Sequence, residues 1–118
     1  MKLRVSVLSL ATAALGMTFA PAAMPKTGVA KATTVVVTAS EFKFKLSKSV
    51  VPHGKVTFRV VNHGKLQHDF WIAGKKTPLI NPGKSATLTV TLTKGQHAYK
   101  CSVPGHAAAG MKGKLQVT

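Results

Sequence analysis

The segment Ser85-Ala86-Thr87-Leu88-Thr89-Val90-Thr91-Leu92 alternates polar and apolar residues throughout. Side chains on an extended chain point to opposite faces in turn, so this pattern predicts a strand with Ala86, Leu88, Val90 and Leu92 on a core face and the hydroxyl residues in water. Asn81-Pro82-Gly83 before it and Lys94-Gly95 after it are turn signals. The same period recurs upstream, where Val56, Phe58 and Val60 alternate with Thr57 and Arg59, and Phe42, Phe44 and Leu46 with Lys43 and Lys45. Leu115 and Val117 repeat it at the C-terminus, and Thr33 to Thr38 is a run rich in β-branched residues suited to a strand. Pro52-His53-Gly54 and Asn62-His63-Gly64 supply further turns. No segment carries a helical period. Short strands punctuated by turns predict an all-β chain, an antiparallel sandwich or barrel.

Before Thr33 the composition changes. The opening MKLRVSVLSLATAALGMTFAPAA has Lys2 and Arg4, an uncharged run from Val5 to Ala20, then small residues. This is the pattern of a secretory signal peptide, assigned to residues 1–22, with a second set of small residues at Gly28-Val29-Ala30 that would move cleavage to about residue 30. The apolar run is shorter than the roughly 18 residues a membrane span requires, so no integral span is expected after processing. Residues 23–32 read as a short flexible linker and 33–118 as the domain. The protein is thus expected to be exported, periplasmic or extracellular and cell-surface. With 17 basic residues less Lys2 and Arg4, set against Glu41 and Asp69, the mature net charge is about +13. Such charge favours encounter with acidic partners. The lysines are scattered without interleaved aromatics, so no specific nucleic-acid binding is expected.

An exported chain with one thiol, Cys101, needs a reason to keep it. Intermolecular pairing, a reactive thiol or a metal are the options. Cys101-Ser102-Val103-Pro104-Gly105-His106-Ala107-Ala108-Ala109-Gly110-Met111 favours the metal. Its donors are spaced by five residues, and Pro104, Gly105 and Gly110 allow the curl that would turn them to one point. Thiolate, thioether and imidazole, joined by a second imidazole, form the trigonal set with a weak axial sulfur that suits copper. Zinc fits less well, since its structural sites do not use thioether.

His68, in Gln67-His68-Asp69-Phe70-Trp71-Ile72, is the candidate second imidazole. If Phe70 and Ile72 face the core, alternation turns His68 the same way. His63 is its substitute, His97 lies about 13 Å from Cys101 along the strand and is read as structural, and His53 sits in a turn. Asp69 either reaches across to the Cys101 loop and braces both ligands or is an ordinary strand-surface residue. Val103, Pro104, Ala107, Ala108 and Ala109 form an uncharged collar around His106, read as a partner-docking surface.

From Thr33 to Thr118 the chain resembles a cupredoxin, the small blue-copper family, and in particular bacterial plastocyanin-like and amicyanin-like domains. The likeness is carried by Asn62-x5-His68-Asp69-Phe70, by Asn81-Pro82-Gly83-Lys84-Ser85, and above all by Tyr99-Lys100-Cys101-Ser102-Val103-Pro104-Gly105-His106 with Gly110-Met111-Lys112-Gly113. The resemblance implies a Greek-key β-sandwich with copper near one end, ligands His68, Cys101, His106 and Met111, and support from Asn62, Asp69 and Ser102. Two features depart from the pattern. Four residues separate Cys101 from His106 where two are typical, and no second cysteine is present, so one copper ion is expected. The function expected is a monomeric one-electron carrier between redox partners, at least one with an acidic surface. An exported copper carrier or scavenger using the same ligands is the alternative. An enzyme would need a second metal site and a substrate pocket, so none is expected.

Overall fold

A computed structural model describes residues 32–118. The segments expected to be a signal peptide and, all but its last residue, a linker lie outside the described residues. Nine strands follow in order: β1 (Thr33–Ser40), β2 (Lys43–Leu46), β3 (Val50–Val51), β4 (Gly54–Asn62), β5 (Trp71–Ile72), β6 (Lys75–Lys76), β7 (Ser85–Leu92), β8 (Gly95–Lys100) and β9 (Lys112–Val117). They form two sheets, β2-β1-β4-β7 and β3-β9-β8-β5-β6. The described residues form an all-β sandwich. Most neighbours run antiparallel, while β1 with β4 and β3 with β9 are parallel.

Alternation builds the core between the sheets. Val35, Val37 and Ala39 of β1, Val56, Phe58 and Val60 of β4, and Val90 and Leu92 of β7 face Ile72, Leu115 and Val117, all buried. Ala86 and Leu88, on the same face of β7, are only half-buried and lie at the edge of this core. An aromatic cluster locks the sheets together: Phe70 meets Phe58 at 5.1 Å and Phe44 edge-on at 5.3 Å, and Tyr99 at 5.5 Å. Truncating a buried ring such as Phe58 costs about 3–5 kcal/mol in a core of this kind.

Register gathers the chemistry at one end. Ala39 pairs with Asn62, Val61 with Ser85, and Lys100 with Lys112. The loops that follow β1, β4 and β8, and those that precede β7 and β9, therefore open at the same end of the sandwich.

Two local expectations change. Phe42 does not share the face of Phe44 and Leu46. Ser40 pairs with Lys43, so Glu41 and Phe42 form a two-residue hairpin turn, and Phe42 takes φ 61° and is 40% exposed. Alternation cannot register such a turn, which places a non-glycine residue in the left-handed region at a cost of about 1–2 kcal/mol. The strand expected around His68 is also shorter. β5 holds only Trp71 and Ile72, and His68, Asp69 and Phe70 are buried in succession. Their backbone pairs instead with the 77–80 segment: His68 N–H donates to Ile80 O (3.2 Å), Ile80 N–H to His68 O (2.7 Å), and Thr77 N–H to Phe70 O (3.0 Å).

Candidate metal centre

The downstream arm is a self-bonded loop. Cys101 N–H donates to Met111 O at 3.0 Å, which joins the end of β8 to the start of β9. Inside, His106 N–H donates to Val103 O, Ala109 N–H to Gly105 O, and Met111 N–H to His106 O, each at 3.1 Å. Gly105 (φ 82°) and Gly110 (φ 119°) take left-handed conformations that L side chains resist. A Cβ on Gly110 would also stand 3.2 Å from Phe42 O. The outcome is burial of all three sulfur and imidazole side chains: Cys101 at 1%, Met111 at 0% and His106 at 8% exposure.

The upstream arm depends on distant partners. Asn62, fully buried, donates from Nδ2 to Leu66 O and Ile80 O at 2.8 Å each and accepts from Gly64 N–H at 2.8 Å. Those bonds seat the 62–68 segment against the strand-like 80 position that pairs with His68. Asp69 reaches across to the other arm, accepting from Ser102 N–H at 2.6 Å and from the Ser102 hydroxyl. One buried carboxylate thereby ties the residue after Cys101 to the residue after His68.

Between the arms, His68 Nδ1 lies 3.1 Å from His106 Nδ1, and Cys101 Sγ lies 3.6 Å from the same His106 nitrogen. His68, Cys101 and His106 together present donors within 4.8 Å of one another. Donors about 2.0–2.3 Å from a shared ion stand about 3–4 Å apart, so the gap fits one metal. Met111 adds a buried thioether in the same loop. Soft sulfur with two imidazoles favours copper over zinc.

Burial governs protonation here. Desolvation pushes the Cys101 thiol above its ordinary value, despite N–H groups that favour the thiolate. Desolvation, then the charge of His106, holds His68 below the usual imidazole range, with Glu41 opposing the shift. Such a set rests as a thiol and a neutral ring, and metal binding must displace the thiol proton.

Glu41 was not among the residues singled out in the sequence. Its carboxylate accepts from Leu66 N–H at 2.8 Å and from Lys65 N–H, the chief reasons its pKa is lowered. It also approaches His68 Nε2 at 3.6 Å. Next to it, Phe42 sets its ring edge-on to His106, 5.2 Å between centroids. The signal available was scarcity: Glu41 and Asp69 are the only acidic residues in the chain, and both lie at this site.

The other candidates fall apart as follows. His63 is exposed and outside the cluster. His97 donates from Nε2 to Thr93 O at 2.7 Å, and His53 Nδ1 contacts Thr118 O at 3.0 Å. In the collar, Pro104, Ala108 and Ala109 are exposed and Val103 and Ala107 half-buried around the edge of His106.

Comparison with known proteins gives an independent line. The family model of copper binding proteins, plastocyanin/azurin family, matches residues 7–118. The copper-resistant cuproprotein CopI of Pseudomonas aeruginosa is 52% identical over 40 residues, which is 33% of this chain and 22% of that protein. Auracyanin-B of Chloroflexus aurantiacus is 46% identical over 43 residues, 36% of this chain and 18% of its own length. The match thus spans about a fifth of each curated relative. Among solved structures, reduced auracyanin from Roseiflexus castenholzii superposes with a TM-score of 0.65 at 23% identity, over 75% of this chain and 99% of that one. An auracyanin B structure gives 0.65 at 25% identity, over 77% and 92%.

Proposed function

The chain belongs to the plastocyanin/azurin family of copper-binding proteins, and from that premise we propose that it is an exported mononuclear copper protein carrying single electrons between redox partners. The observation that carries this reading is the convergence of two imidazole Nδ1 atoms and one thiol on a gap of one-ion size, in a site almost closed to water. His68, Cys101 and His106 would hold the ion, with Met111 as the weak fourth donor. Copper supplies a one-electron couple. The chain's part is to keep the donors in place through Asn62, Asp69 and Ser102 so that little rearranges between oxidation states.

His106 is the point of exchange in this proposal. It alone of the three clustered donors reaches the surface, at 8% exposure, inside the collar of Val103, Pro104, Ala107, Ala108 and Ala109. A partner could dock there over a small apolar area. Steering has its own surface. Lys76, Trp71, Lys100 and Lys112 stand in register across β6, β5, β8 and β9, with Lys100 Nζ 5.0 Å over the Trp71 ring. Like charges directly opposite one another disfavour strand pairing, and an acidic partner face would relieve them. The proposed setting is the periplasm or the cell surface, and the proposed role is non-enzymatic.

Likeness to a copper-resistant cuproprotein over a third of the chain supports a second reading, copper carriage or buffering. Slow copper loss with reversible oxidation speaks for the electron carrier, and ready passage of Cu(I) to an acceptor speaks for the second. The decisive first test is a visible spectrum. Cu(II) added to the mature protein should give an intense blue thiolate-to-copper band that Cys101→Ser abolishes. A colourless wild type that takes up zinc instead would reject both readings.

A further inference from the structure

We propose that Glu41, at the tip of the β1–β2 hairpin, is a positioning residue that fixes the ring of His68 in the tautomer whose Nδ1 is open to metal. A neutral imidazole carries one ring proton. For Nδ1 of His68 to offer a lone pair toward His106 and Cys101, that proton must sit on Nε2. Yet Nε2 is fully buried and, among the described side-chain atoms, lacks any hydrogen-bond partner. Its neighbour is Glu41 Oε1 at 3.6 Å. That separation is too long for a hydrogen bond; in this proposal the Nε2–H and this carboxylate, its neighbouring anion, meet in one. Asp69, the chain's other carboxylate, is already committed to Ser102.

The local structure is shaped around this carboxylate. Lys65 and Leu66 N–H groups hold it, so the same side chain that faces the ring also anchors the loop leading to it. Gly64 leaves room for it: a Cβ there would stand 2.5 Å from Glu41 Oε1. Phe42 completes the tip. Its ring lies against His106 and its carbonyl against Gly110, so a single hairpin turn touches both histidine arms. A carboxylate behind a ligand imidazole orients the ring and raises its basicity.

The purpose of this contact rests on the proposed copper role, but its first test needs no metal. Long-range imidazole nitrogen spectra of the metal-free protein should show His68 as the Nε2–H tautomer, and Glu41→Ala should convert it to a mixture. A wild type with Nδ1–H at His68, or an alanine variant with an unchanged tautomer, overturns the assignment. Glu41→Gln keeps an oxygen for the loop N–H groups and for Nε2, so the fold and tautomer should persist while the negative charge is lost. In the copper-loaded protein this variant should raise the reduction potential, because an anion near the ion favours Cu(II). Its Cu(II) affinity should stay within a few-fold of wild type, whereas Glu41→Ala should lose about 10- to 100-fold. An unmoved potential in Glu41→Gln together with an unchanged tautomer in Glu41→Ala would reduce Glu41 to a loop clamp and overturn the proposal. Failure of the wild type to bind copper, with the tautomer result intact, would remove the copper reading and leave the contact between Glu41 and His68 standing.

Discussion

The two arms of the site solve the same problem in opposite ways. The downstream arm brings Cys101, His106 and Met111 from one short loop whose backbone-to-backbone bonds are internal. The upstream arm brings His68 alone, and its placement depends on Asn62, Ile80, Glu41 and Asp69, which come from separate parts of the chain. A local loop can hold its shape with few outside contacts. A single donor delivered from afar needs several, and damage to any of them should register first as a loss of positioning.

The strongest challenge to this contrast is Asn62→Ala. The change removes two donated hydrogen bonds and one accepted bond from a fully buried position, leaving Leu66 O, Ile80 O and Gly64 N–H to find other partners. Unsatisfied buried groups cost about 1–3 kcal/mol each, with partial recovery through water at the half-open Leu66 end, so a total of roughly 2–4 kcal/mol is expected. For a domain of this size, thermal unfolding of the metal-free protein should drop by about 4–8 °C per kcal/mol. A drop of under 2 °C would show that the upstream arm is held by packing alone.

Asp69→Ala probes the link between the arms. Both arms should fold, since the downstream loop keeps its own bonds, but Ser102 would lose its acceptor and the Cys101 side would no longer be tied to His68. Copper affinity should fall about 10- to 100-fold, read by competition with a chelator. A loss below twofold would mean that the arms are positioned independently.

This division also explains what could be read from the residues alone. Period-two alternation gave β4, β7 and β9 because it reports burial on a flat, two-sided element, and the downstream donors were legible because they are close in sequence. Phe42 escapes the pattern because a hairpin turn interrupts the alternation without a glycine to mark it. Strand alternation points to His68, yet its backbone pairs with Ile80 outside any strand of more than one bridge, and Asp69 beside it is equally buried. Burial of consecutive residues needs long-range hydrogen bonds, and no local pattern encodes those. The contacts of Glu41 are hidden for the same reason, although its scarcity as an acidic residue marks it. Its partners, Lys65, Leu66 and His68, lie more than twenty positions away.

The smallest effect should come from His97→Ala, which tests whether a histidine near Cys101 in sequence matters to the site. His97 shares β8 with Lys100, but its Nε2–H is directed away to Thr93 O and the ring is half-exposed. Loss of one partly solvated hydrogen bond should cost about 0.5–1.5 kcal/mol. The blue band and the copper affinity should stay within twofold of wild type, because neither arm uses this ring. His68, far more distant from Cys101 in sequence, should by contrast be indispensable to both. If His97→Ala altered the spectrum, the strand end itself would be part of the metal-supporting frame, and the separation between a self-sufficient downstream loop and a dependent upstream arm would fail on its downstream side.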